Sequence, residues 1–366
     1  MGRAAPTRVR RAAKLVAAWI QGQLQHRPCY IYDGADWVIR SEGEYITRGI
    51  QAQYGVDCRL LTDVRFLYRQ VVHFGCQHLF TEGGYLDVHP SNRVVVTFFH
   101  GDRSDPAFAP AVSVLQREID RVDRVIVSCR IMARRMETWG IPAHKVYLIP
   151  IGVDLQLFKP PTEGQREAVR RQLGIRADQV VIGSFQKDGI GWDEGLEPKL
   201  IKGPDIFLRV VDRLKKQAPI FVLLTGPARG YVKRGLEGLG VPYRHLFLSS
   251  YAEVARYYHA LDLYVVSSRE EGGPKALLES MATGVPVVST RVGMAADLIE
   301  DGTNGFLCDI DDVDALASRA MQLIQSESLR LRFATNGQKS VLGCDFAQVA
   351  RQHYEQIYAP LLATLR

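Results

Sequence analysis

Short, nearly continuous apolar runs rich in Val, Ile and Phe alternate along most of this chain with longer stretches whose apolar positions recur every three or four residues. Strands buried on both faces read as unbroken apolar runs, and amphipathic helices as a stripe of period 3.6. The pattern predicts strands at Cys29–Tyr32, Cys58–Leu61, Gln70–Phe74, Arg93–Phe98, Arg124–Ser128 and Val146–Pro150, with helices over Ser41–Gln53 and ending at Arg117–Arg121. After the Pro/Gly-rich stretch Lys159–Gly164, which reads as a linker, the series restarts. Its strands are Val180–Gly183, Phe221–Thr225, His245–Leu248, Leu263–Val266, Val285–Ser289 and Gly305–Leu307. Such alternation predicts α/β architecture with parallel sheets covered on both faces. At 366 residues the chain suits two domains.

Composition adds little until charge is located. Hydrophobic residues make up 46% and charged ones 23%, ordinary values for a globular protein. The formal charge of +6 sits in residues 1–27, where Arg3, Arg8, Arg10, Arg11, Lys14 and Arg27 face no acid. The rest of the chain is balanced, which argues against a nucleic-acid-binding face. Within residues 8–25 the positions Val9, Ala12, Ala13, Val16, Trp19, Ile20 and Leu24 follow helical spacing. A basic amphipathic helix of this kind either packs on its own domain or lies on an anionic membrane surface. Six cysteines without CxxC or ligand spacing predict free thiols in a reducing compartment. No run reaches the roughly 20 apolar residues of a membrane span, and the opening segment lacks the pattern of a signal peptide. A cytoplasmic protein is expected.

The chemistry concentrates at Glu271-Gly272-Gly273-Pro274-Lys275-Ala276-Leu277-Leu278-Glu279. A Gly-Gly-Pro turn between a strand and a short helix, expected over Pro274–Thr283, leaves helix N-terminal amides at the strand end, and such amides attract anions. Glycines let a phosphate approach the backbone, and Lys275 adds positive charge. Glu271 and Glu279 cannot bind phosphate but can accept hydrogen bonds from hydroxyls. A phosphate cradle beside two hydroxyl-reading carboxylates describes a nucleotide-sugar site.

The same stretch, continued through Ser280-Met281-Ala282-Thr283-Gly284-Val285-Pro286, resembles the Glu-x7-Glu signature of retaining glycosyltransferases of family 4, the group 1 glycosyltransferases. Lys145–Pro160 and Leu298–Leu307 resemble other segments of that family, so the likeness spans most of residues 145 to 325. The resemblance implies a GT-B fold, two Rossmann-like parallel-sheet domains facing a central cleft. The implied division is an extension over 1–27, an acceptor domain over 28–158, a nucleotide-sugar domain over 159–345 and a helix at 346–366 returning to the first domain. It further implies that Glu271 contacts donor-sugar hydroxyls, that Glu279 contacts the ribose, and that Gly272, Gly273, Pro274 and Lys275 line the sugar and diphosphate.

The family also uses a basic pair at the start of its second domain to stabilise charge on the leaving diphosphate. Lys202 matches the family lysine. Where the arginine is expected this chain has Ser184, and Lys187 is the nearest replacement. In the first domain His100 matches a family histidine near the donor sugar, and Asp102 and His73 also stand at strand ends; His73 is either an acceptor contact or a core residue. After the first strand Gly34 takes the place of a Gly-rich turn. Asp33 suits acceptor hydroxyls, and Trp37 either stacks on a sugar or packs. Arg229, Ser250 and Tyr251 mark the region of the nucleobase.

With no Asp-x-Asp at a strand end and no metal-ligand spacing, the reaction expected is metal-independent and cofactor-free. The implied function is transfer of a sugar from a nucleotide-diphosphate sugar to the hydroxyl of a glycan or lipid-linked acceptor, with retention, in polysaccharide, glycolipid or cell-envelope glycan synthesis. Rival readings are a sugar-nucleotide isomerase or hydrolase on the same frame and a catalytically silent binding subunit, which Ser184 keeps open. A dinucleotide oxidoreductase would need a Gly-x-Gly-x-x-Gly turn that Asp33-Gly34 does not supply.

Overall fold

The computed structural model describes residues 13–14, 16–17, 19–20, 25–35 and 38–365. Among these, twelve strands form two six-stranded sheets. Every strand predicted from the apolar runs is present, within two residues at most ends. The chain divides into a first unit of residues 1–151 with 346–366 and a second of 152–345.

The first unit holds β1 (Pro28–Ile31), β2 (Arg59–Leu61), β3 (Val71–Phe74), β4 (Arg93–Thr97), β5 (Arg124–Val127) and β6 (Val146–Leu148), in the order β2-β1-β3-β4-β5-β6. All pairings are parallel. The helix Val38–Tyr54 buries Ile39, Ile46 and Ile50 on the sheet. The C-terminal segment covers the same core with Val349, Ala350, Ile357, Tyr358 and Leu361. That segment is α-helical over Phe346–Gln352, widens to a π-helix over His353–Tyr358, and returns to α over Ala359–Ala363.

In the second unit β7 (Val180–Phe185), β8 (Ile220–Thr225), β9 (Tyr243–Leu246), β10 (Leu263–Val266), β11 (Val287–Thr290) and β12 (Phe306–Cys308) order as β12-β11-β10-β7-β8-β9, again all parallel. The helix Pro204–Leu214 presents Ile206, Phe207, Val210, Val211 and Leu214 to Ile182, Val222 and Leu224. Burying five such side chains contributes on the order of 10 kcal/mol against a comparable entropic cost. All six cysteines are free.

Most of the basic arm and its amphipathic stretch fall outside the described residues. Its described positions between 13 and 20 are helical, with Val16, Trp19 and Ile20 exposed. No helix among the described residues is long and apolar enough to cross a membrane.

Candidate active site

Strand order selects the edge where a ligand belongs. Numbered within its own sheet, the second unit runs 3-2-1-4-5-6, so the chain reverses direction across the sheet between β7 and β10. Open α/β sheets bind ligands outside the carboxyl ends of the strands at this switch point. The segments that leave it run from Gln186 to Lys202 after β7 and from Ser267 to Pro274 after β10, the latter leading into the helix that starts at Lys275, and they include the charged groups singled out in the sequence.

Lys202 and Glu271 meet there. The Lys202 ammonium donates to both carboxylate oxygens at 2.7 Å, and Ser268 Oγ donates to Oε1 at 2.9 Å. Glu271 is buried, while Lys202 stays partly exposed. Gly203 explains how a lysine from one loop reaches a carboxylate on the other. It adopts φ +62°, and a Cβ there would lie 1.9 Å from the Ser267 carbonyl oxygen, so only glycine permits the two loops to touch. Ser267 Oγ closes the contact by donating to Gly203 O at 2.8 Å.

The helix after the turn runs Lys275–Ala282, with Pro274 as its extended N-cap rather than its first residue. The Gly272 carbonyl accepts from Met294 N–H at 3.0 Å, which ties the turn to the loop after β11. Glu279 is not an exposed helix acid: it is buried, with Tyr258 donating to Oε2 at 2.6 Å and Tyr251 donating to Oε1. The Lys275 ammonium lies 5.4 Å from the centre of the Tyr251 ring. Both ends of the Glu-x7-Glu pattern are therefore buried carboxylates oriented by donors.

At the end of β7 stands Ser184, where an arginine is expected, and an arginine reaches it from elsewhere. Arg229, fully buried, donates to the Ser184 carbonyl at 2.7 Å and to its hydroxyl at 2.9 Å, and pairs with Asp188 at 3.0 Å. Burial pulls the Arg229 guanidinium below its ordinary pKa and raises the Asp188 carboxyl, an effect their mutual attraction opposes. Fully enclosed, the Arg229 guanidinium shapes the loop that carries Lys187, and only the backbone of this segment is left to face a nucleobase. Lys187 and Lys199 are part-buried, and desolvation lowers both ammonium pKa values. Lys199 also feels Lys202 and Lys187 as like charges and Glu271 as an opposite one. Sequence reasoning passed over Lys199, although its spacing from Lys202, one helical turn, was the available signal. Lys187, Lys199 and Lys202 thus stand near one another, with the Glu271 carboxylate paired to Lys202.

In the first unit the switch lies between β1 and β3. Gly34 follows β1 with φ +85°, and Asp33 accepts from Ala35 N–H at 3.1 Å, a local turn. Trp37 lies outside the described residues. His100, beyond β4, packs edge-on against Phe108 with ring centres 5.1 Å apart, and its carbonyl accepts from Gln77 at 3.0 Å. Asp102 accepts from Ser104 N–H at 2.9 Å and from its hydroxyl at 2.7 Å, and pairs with Arg135 at 3.1 Å. The Ser104 bonds hold its carboxyl below the ordinary pKa. Of the two alternatives for His73, the structure selects the core residue. It is fully buried, with Tyr358 Oη 2.5 Å from Nδ1 and Thr97 Oγ1 2.7 Å from Nε2, so neither ring nitrogen can serve an acceptor.

Among the described residues no three His, Cys, Asp or Glu side chains gather as a metal site. A model of the glycosyl transferases group 1 matches residues 196–340, and one of Glycosyltransferase Family 4 matches 33–157. The D-inositol 3-phosphate glycosyltransferase of Mycobacterium marinum is 28% identical over 243 residues, 63% of this chain and 47% of that protein. The N-acetyl-alpha-D-glucosaminyl L-malate synthase of Bacillus anthracis is 30% identical over 156 residues, 43% of this chain and 40% of that one. The chain spans about half the length of the curated relatives it matches. Among solved structures, Anabaena HepE in complex with UDP superposes with a TM-score of 0.70 at 18% identity, covering 92% of this chain and 100% of that one. With two parallel-sheet units, a fold shared with that structure, and family models matched in both halves, the chain belongs to the group 1, family 4 glycosyltransferases of GT-B fold.

Proposed function

We propose that this protein transfers a sugar from a UDP-sugar to an acceptor hydroxyl with retention of anomeric configuration and without a metal ion. The observation that carries the reading is the Lys202–Glu271 pair at the switch point of the second unit, next to a helix N-terminus. In this reading the diphosphate lies against the first-turn amides of the helix Lys275–Ala282, and Lys202 with Lys187 neutralises the charge that grows as the glycosidic C–O bond breaks. Those fixed positive groups supply the stabilisation that a divalent ion would otherwise give. Glu271 accepts hydroxyls of the donor sugar. Glu279, oriented by Tyr251 and Tyr258, accepts those of the ribose. UDP and UDP-glucose in crystals of Anabaena HepE support uridine as the base. Hexosyl transfer into polysaccharide, glycolipid or envelope glycan fits the family, and the charge of residues 1–27 favours an acceptor near an anionic membrane surface.

The test is a thermal-shift series with UDP-, GDP-, ADP- and dTDP-sugars, since a ligand that binds only the folded chain raises its melting temperature with concentration. UDP-sugars should stabilise most. Donor hydrolysis in the same samples separates a transferase from a silent binding subunit, and the anomeric coupling of the product by NMR checks retention. A wild-type chain that none of these nucleotides stabilises contradicts the assignment.

A further inference from the structure

Residues 188–199 form a short hairpin between β7 and Lys202 that neither family model covers up to residue 195. Lys199 N–H donates to Asp188 O at 2.8 Å and Ile190 N–H to Glu197 O at 2.9 Å, which defines its two arms. The tip is fastened to the first turn of the helix Gly230–Leu239. Gly230 N–H donates to Glu194 O at 2.6 Å and Tyr231 N–H to Gly195 O at 2.9 Å. Gly195 lies so close that a Cβ would fall 2.4 Å from the Ala228 carbonyl oxygen. At its base sits the enclosed Arg229–Asp188 pair. A surface hairpin held at tip and base is a rigid mount.

What it mounts is Trp192, with 61% of its surface exposed. Indole rings are enriched at binding surfaces, and Ile190 and Leu196 on the same hairpin are exposed with it, so the apolar surface here is more than one isolated ring. One face is in use: the Lys187 ammonium stands 3.7 Å from the ring centre. Lys187 belongs to the positive cluster of the candidate site, since it shares the field at Lys199 with Lys202 and Glu271. Trp192 thus borders the candidate site and rests on a cation that the leaving diphosphate would attract.

We propose that Trp192 is a sugar-stacking residue for the transfer reaction, whose indole face receives a pyranose ring when Lys187 leaves it for the diphosphate. The inference rests on the donor site argued above. A pyranose presents a face of C–H groups, which complements the electron-rich face of an indole as the ammonium does now. The ring belongs to the donor or to a glycosyl acceptor; the chemistry is the same, and the measurements below tell them apart.

The test compares wild type, Trp192→Ala and Trp192→Phe as folded full-length chains. Isothermal titration is run with UDP and with whichever of UDP-glucose, UDP-galactose and UDP-N-acetylglucosamine wild type binds best. A donor ring on Trp192 gives a UDP affinity within about twofold of wild type in Trp192→Ala, and a UDP-sugar affinity about fivefold weaker, with Trp192→Phe between. An acceptor ring leaves both affinities alone and raises KM for a methyl glycoside acceptor by about the same factor, with kcat little changed. Unchanged affinities and an unchanged acceptor KM in Trp192→Ala overturn the stacking role and leave the donor site standing. A wild type that binds neither UDP nor any UDP-sugar overturns the donor site itself, and this inference with it.

Discussion

A carboxylate that reads hydroxyls must be held still, and the two glutamates of the motif are held in different ways. Glu271 is gripped by an ammonium and a serine, Glu279 by two tyrosine hydroxyls. Each carboxylate therefore has donors already aligned on it before any ligand arrives. Glu271→Gln keeps the shape but weakens the pair with Lys202. Donor turnover should fall about 10²- to 10³-fold, the cost typical of losing one preorganised transition-state contact. Lys202→Ala should lose at least as much and also lower stability, because it strands a buried carboxylate; kcat and melting temperature measured together distinguish the two contributions. Gly203→Ala tests the contact that brings the loops together. The added Cβ meets the Ser267 carbonyl in a left-handed backbone, so a loss of at least about 2 kcal/mol in urea unfolding is expected. A variant as stable as wild type would mean that the loops can part without cost.

At the scale of elements, the C-terminal helix is more than a lid on the first sheet. Its π-helical turn carries His353 and Tyr358 into the core beside His73, whose ring centre is 5.8 Å from that of His353. Burial pushes the His353 imidazole down to about 4 and His73 well below its ordinary value. Both stay neutral in the folded chain while the unfolded chain takes up protons near 6.5. The unfolded state therefore binds more protons below that pH, and stability must drop as pH falls from 6.5 towards 4. The loss from His353 is on the order of 3 kcal/mol. Denaturant midpoints at pH 7 and pH 5 should register about 2 kcal/mol of it, and a His353→Asn variant should flatten the slope. An equal midpoint at both pH values would show these rings to be solvated.

For the molecule as a whole, the chain is two units with separate cores, and the first is completed by residues 346–366 from the far end of the sequence. Ending the chain at Asp345 removes Val349, Ala350, Ile357, Tyr358 and Leu361 from that core. The loss is on the order of 10 kcal/mol, comparable with the stability of an entire domain. Hydrogen exchange should then show strands β1 to β6 unprotected, while β7 to β12 stay protected and gain protection from UDP. Undiminished protection of β1 to β6 would show that the terminal helices add little.

The apolar runs determined all twelve strands, because a strand buried on both faces has no polar position to interrupt it. The Glu271–Glu279 spacing likewise announced two carboxylates and a turn, since their chemistry is local in sequence. Strand order was not legible: every parallel strand presents the same apolar run, so β10 lying beside β7 was decided by packing of the helices on the sheet. That neighbour choice brings Lys202 to Glu271 and creates the switch point. Arg229 filling the space beside Ser184, His73 closing on Tyr358 across 285 residues, and Trp192 resting under Lys187 are likewise tertiary facts. A side chain's partner depends on where the backbone carries it, and distance along the chain places no bound on that.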